Sequence, residues 1–269
     1  MEIIKTKAKE MMPNRVLLYG SIGFGKSTLA ASAPNPIFIN IENRLSEIDT
    51  NALPVPKNYD EFYNQLIQVY KEEHGFKCIV LDTIDALEAL IYAKVCQENN
   101  VNAISDIGYG GGYEQSLVKF KKVLDALEKI RQDRKMTVIL LAHAHVKMIN
   151  NPLGADYDKY EIKLREKNAA LIKEKMDLVG LLHTRTYTDT VTKGFGGEKT
   201  KASGGQERIL SCYTSAAFDS KNSYNITDDI EIPIVNGYQA IIDAIKAGRE
   251  SLNNIKNDDS SKNDKWWFK

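Results

Sequence analysis

The sequence predicts an α/β protein: a mostly parallel central sheet flanked by helices, with an antiparallel extension toward the C-terminus. Three observations predict it. Nearly continuous apolar runs recur at residues 15–19, 36–41, 77–81 and 136–141, the pattern of strands buried on both faces. Segments with helical spacing of apolar residues lie between them, as parallel crossovers require. Past residue 180 the rhythm changes to two strand-like stretches, 178–187 and 207–214, around a Gly-, Lys- and Thr-rich connection that reads as a hairpin with a mobile tip.

Taken in order, Arg15-Val16-Leu17-Leu18-Tyr19 forms the first strand, and residues 28–33 form a helix that Pro34 stops. Pro36-Ile37-Phe38-Ile39-Asn40-Ile41 is the second strand. The amphipathic stretch 59–73 is a crossover helix leading to Lys77-Cys78-Ile79-Val80-Leu81. Val118, Val123, Leu124, Leu127 and Ile130 mark a helix over 118–131, which precedes the fourth apolar strand. Ile230-Glu231-Ile232-Pro233 comes before a helix over 238–252. The polar segment 253–269 reads as a flexible tail until Trp266-Trp267-Phe268. These boundaries divide the chain into a core over 1–218, a strand and helix appended over 219–252, and the tail.

Composition excludes several classes. With 43% hydrophobic and 27% charged residues, the 269-residue chain is neither disordered nor fibrous. Lys plus Arg equals Asp plus Glu at 36 each, so any nucleic-acid site has to be local. Cys78, Cys96 and Cys212 lack metal-ligand spacing and read as reduced thiols. No apolar run approaches the roughly 20 residues that span a bilayer. Met1-Glu2-Ile3-Ile4-Lys5 lacks a signal-peptide layout, so the expectation is a cytoplasmic protein with no membrane partner.

Gly20-Ser21-Ile22-Gly23-Phe24-Gly25-Lys26-Ser27 fits G-x-x-x-x-G-K-S/T between a strand and a helix, the context in which this motif binds ATP. The glycines let successive N–H groups face an anion, and the following helix turns its positive end toward the phosphates. Lys26 adds a cation for the β- and γ-phosphates, Ser27 a hydroxyl for Mg²⁺, and Thr28 extends the first turn. A glycine-rich turn with an exposed lysine is the plain alternative, which the flanking strand and helix disfavour. Asp82 ends the third strand, where a carboxylate holds the metal or merely caps the next helix. Its position one crossover after the P-loop favours the metal, the Walker B role. Glu42, just past the second strand, is the candidate to orient or deprotonate water, against a solvated loop carboxylate. His143 follows the fourth strand as a candidate γ-phosphate sensor; His145 competes for that role, and a structural histidine is an equal alternative.

The order P-loop, strand ending at Glu42, strand ending at Asp82 and strand ending in a polar sensor resembles the RecA-like ATPases, over about residues 13–250. Phe38-Ile39-Asn40-Ile41-Glu42 is similar to the RecA segment with the catalytic glutamate, and Ile79-Val80-Leu81-Asp82-Thr83 to its Walker B strand. The layout is most similar to phage RecA-like proteins of the Sak-type recombination group, which implies a RecA-like P-loop core, ATP and Mg²⁺ as cofactors and single-stranded DNA as partner. Ala142-His143-Ala144-His145 departs from the family, which has a sensor glutamine there. Ser220-Lys221-Asn222-Ser223-Tyr224 resembles a Lys-Asn-Arg segment of RadA-like relatives, with Ser223 in place of the arginine. By that resemblance Lys221 offsets transition-state charge in a neighbour's site, which implies a ring or filament; an exposed hairpin lysine is the alternative.

Asp106-Ile107-Gly108-Tyr109-Gly110-Gly111-Gly112-Tyr113 stands where the family has its first DNA loop, and Tyr109 and Tyr113 suit stacking on bases. A lid or packing loop is the alternative. Lys147, Lys159, Lys163 and Arg165, interleaved with tyrosines over 145–175, form either a DNA groove or a solvated helix face. Lys193, Lys199 and Lys201 among glycines offer a backbone-contacting finger. The Trp266-Trp267-Phe268 tail suits docking on a subunit, a single-strand-binding protein or another replication partner, or folding back on its own core. The resulting expectation is a DNA-stimulated ATPase of annealing or strand exchange. A nucleotide-switched assembly protein and a small-molecule kinase are the rivals.

Overall fold

The computed structural model describes residues 12–193 and 197–263. Strand β1 (Arg15–Gly20) leads through the P-loop into α1 (Lys26–Ala31) and then β2 (Pro36–Asn40) and a short β3 (Asn51–Leu53). Helix α2 (Tyr59–Lys71) begins where the Asn58 side chain accepts from the Glu61 amide, with Asp60 and Glu61 at the positive helix end. After β4 (Cys78–Asp82), the Thr83 hydroxyl caps α3 (Ile84–Asn99), which Asn100 ends in the left-handed conformation. Two 3₁₀ turns precede the long α4 (Gly111–Asp133). Then follow β5 (Thr137–Ile149), β6 (Tyr157–Ile162), α5 (Glu166–Lys175), β7 (Leu178–Lys193), β8 (Gly197–Ser211), β9 (Lys221–Asn222), β10 (Ile230–Ile232) and α6 (Gly237–Asn263).

The sheet order is β10-β8-β7-β1-β5-β4-β2-β3. From β7 to β3 every neighbouring pair is parallel, while β8 and β10 add antiparallel strands on the C-terminal side. This is the mixed α/β architecture with a mostly parallel, helix-flanked sheet that the apolar runs predict. Because side chains alternate along a strand, β1 serves two cores. Leu17 and Tyr19 pack with Ile39, Leu81 and Leu140 beneath Phe62 of α2, Ile91 of α3 and Phe120 of α4. Val16 and Leu18 pack on the opposite face with Phe38, Val80 and Leu141 beneath Leu29 of α1 and Ile241 of α6. Both faces of the parallel strands are therefore covered, which is why they read as unbroken apolar runs. Among the described residues no helix is long and apolar enough to cross a membrane.

Several elements run longer than the sequence predicts. Strand β5 passes Leu141 and continues to Ile149, because antiparallel pairing with β6 supplies its outer half with partners. Strands β7 and β8 sustain each other to Lys193 and Gly197. The segment 145–175 is thus a β-hairpin followed by a helix, not one helical face. Helix α6 reaches Asn263, into the region predicted as a flexible tail; no Gly or Pro follows Gly248 to stop it. Strands β9 and β10 join the same sheet through β7 and β8. Trp266, Trp267 and Phe268 lie outside the described residues.

Gly248 yields a test in which two effects oppose each other. Inside a helix, Gly→Ala ordinarily stabilises by about 1 kcal/mol. Here a Cβ would stand 2.0 Å from the main-chain oxygen of Tyr224. Overpacking wins, and Gly248→Ala is expected to destabilise by about 1–3 kcal/mol in urea unfolding.

Candidate functional site

The carboxyl ends of β1, β5, β4 and β2 meet along one edge of the sheet. Gly20 pairs with His143, Leu141 with Asp82, and Asp82 with Asn40, so the P-loop, the middle strand and the candidate metal carboxylate arrive at one level. The Ile41 amide donates to the Asp82 carbonyl at 2.8 Å, which carries Glu42 to the same edge. A cleft of about 320 Å³ is lined by Ile22, Gly23, Gly25, Lys26, Ser27, Thr28, Glu42, Arg44, Asp82, Thr83 and His143 among its residues. Gly20 closes β1 and Ser21 and Phe24 stand on the other side of the loop, against a second cavity.

Gly23 and Gly25 adopt φ of 88° and 77°, the left-handed region that only glycine enters at little cost. They curl the loop so that its Gly20 and Ser21 carbonyls each accept from Lys26 Nζ at 3.0 Å. Burial lowers the Lys26 pKa against the opposing pull of Asp82, Asp85 and Glu42. Ser27 Oγ donates to Asp82 Oδ2 at 2.6 Å, and burial raises the Asp82 carboxyl despite that bond and the nearby Lys26. Two hard oxygen donors side by side, one on a charge left under-compensated by burial, fit Mg²⁺. The open glycine curl beside a buried ammonium fits a triphosphate. Ser27 and Asp82 are thus placed so that they could hold the metal, and Lys26 with the loop amides so that they could hold the nucleotide.

Glu42 Oε1 accepts from the Thr83 hydroxyl at 2.6 Å, and its other oxygen lies 3.8 Å from Arg44 Nε. The peptide joining Asp82 to Thr83 is cis. His143 Nδ1 lies 2.8 Å from Asp85 Oδ2 and 3.4 Å from Glu42 Oε1. His143 therefore lines the cleft, whereas His145 is not among its lining residues.

The remaining candidates are not gathered at this cleft. Tyr109 is fully exposed in a left-handed conformation within its glycine-rich turn. Tyr113 instead packs edge-on against Tyr92, with the Arg165 guanidinium 3.5 Å above its ring, so both are engaged with each other. Lys147 and Lys163 are exposed, Lys147 within 3.4 Å of Glu161. Lys159 is held 2.9 Å from Asp219. Lys221 pairs with Val179, level with Leu17 and away from the Gly20 end of β1, and its ammonium donates to the Glu174 carbonyl at 2.6 Å. It is not among the residues that line the cleft. Lys193, Lys199 and Lys201 stand on the β7–β8 ladder.

Several residues at the site escaped sequence reasoning, Arg44 beside Glu42 among them. Thr83 and Asp85 stand at the start of α3, and only their contacts with Glu42 and His143 reveal more. Arg208 of β8 lies against the P-loop: a Cβ on Gly25 would stand 2.7 Å from its Nη1. Its Nη2 donates to the Pro233 carbonyl at 2.7 Å, and its Nε is buried without a partner among the described residues. Nothing in the sequence around Arg208 signals that proximity. Cys78 and Cys212 are buried, and burial pushes both thiols up to about 12, which leaves them unreactive.

A P-loop at the carboxyl edge of a parallel sheet, facing a strand-end aspartate across an intervening strand, defines a P-loop nucleoside triphosphatase domain. Residues 12–224 match the family model described as AAA domain, and the chain belongs to that family. Membership points to nucleotide binding and ATPase activity. No curated protein matches the chain.

Asp82 gives a prediction whose sign follows from its raised pKa. A folded carboxyl with a pKa above its unfolded value costs stability as pH rises from the unfolded pKa, near 3.9, through the folded one. At pH 7 the charged Asp82 is therefore a burden on the nucleotide-free protein. Asp82→Asn is expected to raise the thermal midpoint by a few degrees, about 1 kcal/mol, while weakening Mg²⁺-dependent nucleotide binding in calorimetry. A lowered midpoint would contradict the assignment of a desolvated carboxylate.

Proposed function

We propose that this protein is a RecA-like ATPase of the Sak-type group that acts on single-stranded DNA in phage recombination or replication, by annealing or strand exchange. The observation that carries the DNA half is the course of β5. It runs unbroken from His143 in the nucleotide cleft to a hairpin with β6, where Val146, Lys147 and Met148 are exposed. A strand that joins the nucleotide to an exposed hairpin is a mechanical link between hydrolysis and whatever the hairpin grips. Tyr109 adds an exposed ring on a glycine-rich turn, suited to stacking on an unpaired base.

In the hydrolytic half, the P-loop amides and Lys26 grip the triphosphate and offset charge as it develops. Ser27 and Asp82 would hold Mg²⁺, which would supply further charge neutralisation when bound. Glu42, its carboxylate oriented by the Thr83 hydroxyl, orients the attacking water. Lys221, which does not line the cleft of its own chain, serves a neighbouring copy in a ring or filament. The tail at Trp266-Trp267-Phe268 docks on a replication partner, with the cytoplasm, the host's if phage-encoded, as the place of action. A second function has one observation in its favour: Val146, Met148 and Leu153 are exposed apolar side chains on the β5–β6 hairpin, which also suit a protein partner of a nucleotide-switched assembly.

ATP turnover measured with and without single-stranded DNA over a salt series separates the two. The expected result is stimulation by DNA that fades as salt rises. Absence of DNA binding at low salt sinks the recombination role and favours the assembly switch. Glu42→Gln is expected to retain ATP binding and lose about 100-fold in kcat; unchanged turnover removes Glu42 from the chemistry.

A further inference from the structure

One carboxylate holds His143 at two points. The His143 main-chain N–H donates to Asp85 Oδ1 at 3.0 Å, and the ring Nδ1 lies 2.8 Å from Asp85 Oδ2. Burial works against ionising Asp85, but hydrogen bonds from the His143 ring and backbone outweigh it and hold the carboxyl below its ordinary range. An ionised carboxylate only accepts hydrogen bonds, so Nδ1 carries the proton. Glu42 Oε1, 3.4 Å from the same nitrogen, is a second acceptor on that side. The other ring nitrogen, Nε2, has no protein partner among the described residues, and His143 lines the nucleotide cleft.

Building on the ATPase function proposed above, we propose that Asp85 is a positioning residue: it fixes His143 with the proton on Nδ1, so that the Nε2 lone pair faces the nucleotide. Glu42 and His143 Nε2 then each accept one hydrogen bond from the same attacking water, which aims its oxygen at the γ-phosphate. An aspartate in the first turn of a helix is ordinarily a partner for the helix dipole. The two contacts to one histidine, from a helix to a strand, are what set Asp85 apart from that role.

Asp85→Asn tests it, because an amide can donate to Nδ1 and so reverse the tautomer while keeping shape. Imidazole nitrogen NMR on the chain's 4 histidines reads the proton directly: Nδ1 protonated in the wild type, bare in Asp85→Asn. In steady-state ATP turnover, kcat is expected to fall at least ~10-fold with KM changed less than ~2-fold. In a His143→Ala background the same substitution is expected to lower kcat no further, a non-additivity that a purely structural role does not produce. A bare Nδ1 in the wild type, full turnover in Asp85→Asn, or additive losses each overturn the positioning role. A wild-type chain that hydrolyses no ATP overturns the ATPase function and this role with it.

Discussion

The parallel pairing of β5 between β1 and β4 is the constraint on which the site depends. It sets Gly20 opposite His143 and Leu141 opposite Asp82, so the P-loop and the Asp82 carboxylate flank a third polar side chain across one strand. The pairing is fixed by burial on both faces, because a one-residue slip would exchange the two apolar sets that α2, α3 and α4 cover on one side and α1 and α6 on the other. Ser27 to Asp82 is then the first contact across the cleft, and it ties the start of α1 to the end of β4.

Within that frame the electrostatics are unfinished. Lys26, buried and bonded to two loop carbonyls, and Asp82, buried against a serine hydroxyl, both have their charged forms disfavoured by desolvation. Three carboxylates, Glu42, Asp82 and Asp85, gather around one ammonium and one imidazole. Such a site is stabilised by a ligand that brings both a cation and an anion, which is the chemistry of a magnesium nucleotide. Asp85 is engaged by the His143 ring and main chain, Asp82 by the Ser27 hydroxyl, and Glu42 by the Thr83 hydroxyl with Arg44 3.8 Å away.

The sheet also exports its strands. β5 and β7 both outrun the layer in which they begin, each sustained by an antiparallel partner, β6 and β8. The two hairpins therefore share continuous backbone with the strand that carries His143 and with the strand beside β1. Arg208, on β8, reaches back to Gly25, so the β7–β8 hairpin too is joined to the P-loop.

The sequence by itself determined what depends on neighbours in the chain. The P-loop closes within eight consecutive residues, Gly20 to Ser27, so its glycine curl and lysine are legible as written; the buried parallel strands are legible because both their faces need apolar residues. Glu42, Asp82 and His143 were found as strand-end polar residues, by their place after an apolar run. Tertiary structure alone decided what those residues touch. It assigned His143 rather than His145 to the cleft: two positions apart, they share a face of β5, but His143 stands opposite Gly20 whereas His145 lies further along, where β5 pairs with β6. It locked Tyr113 under Arg165, brought Arg208 to Gly25, and joined Asp85 to His143. Each of these is a contact between residues far apart in the chain, set by strand order and helix docking, and no local pattern of residue types records which distant side chain a packed sheet will bring near.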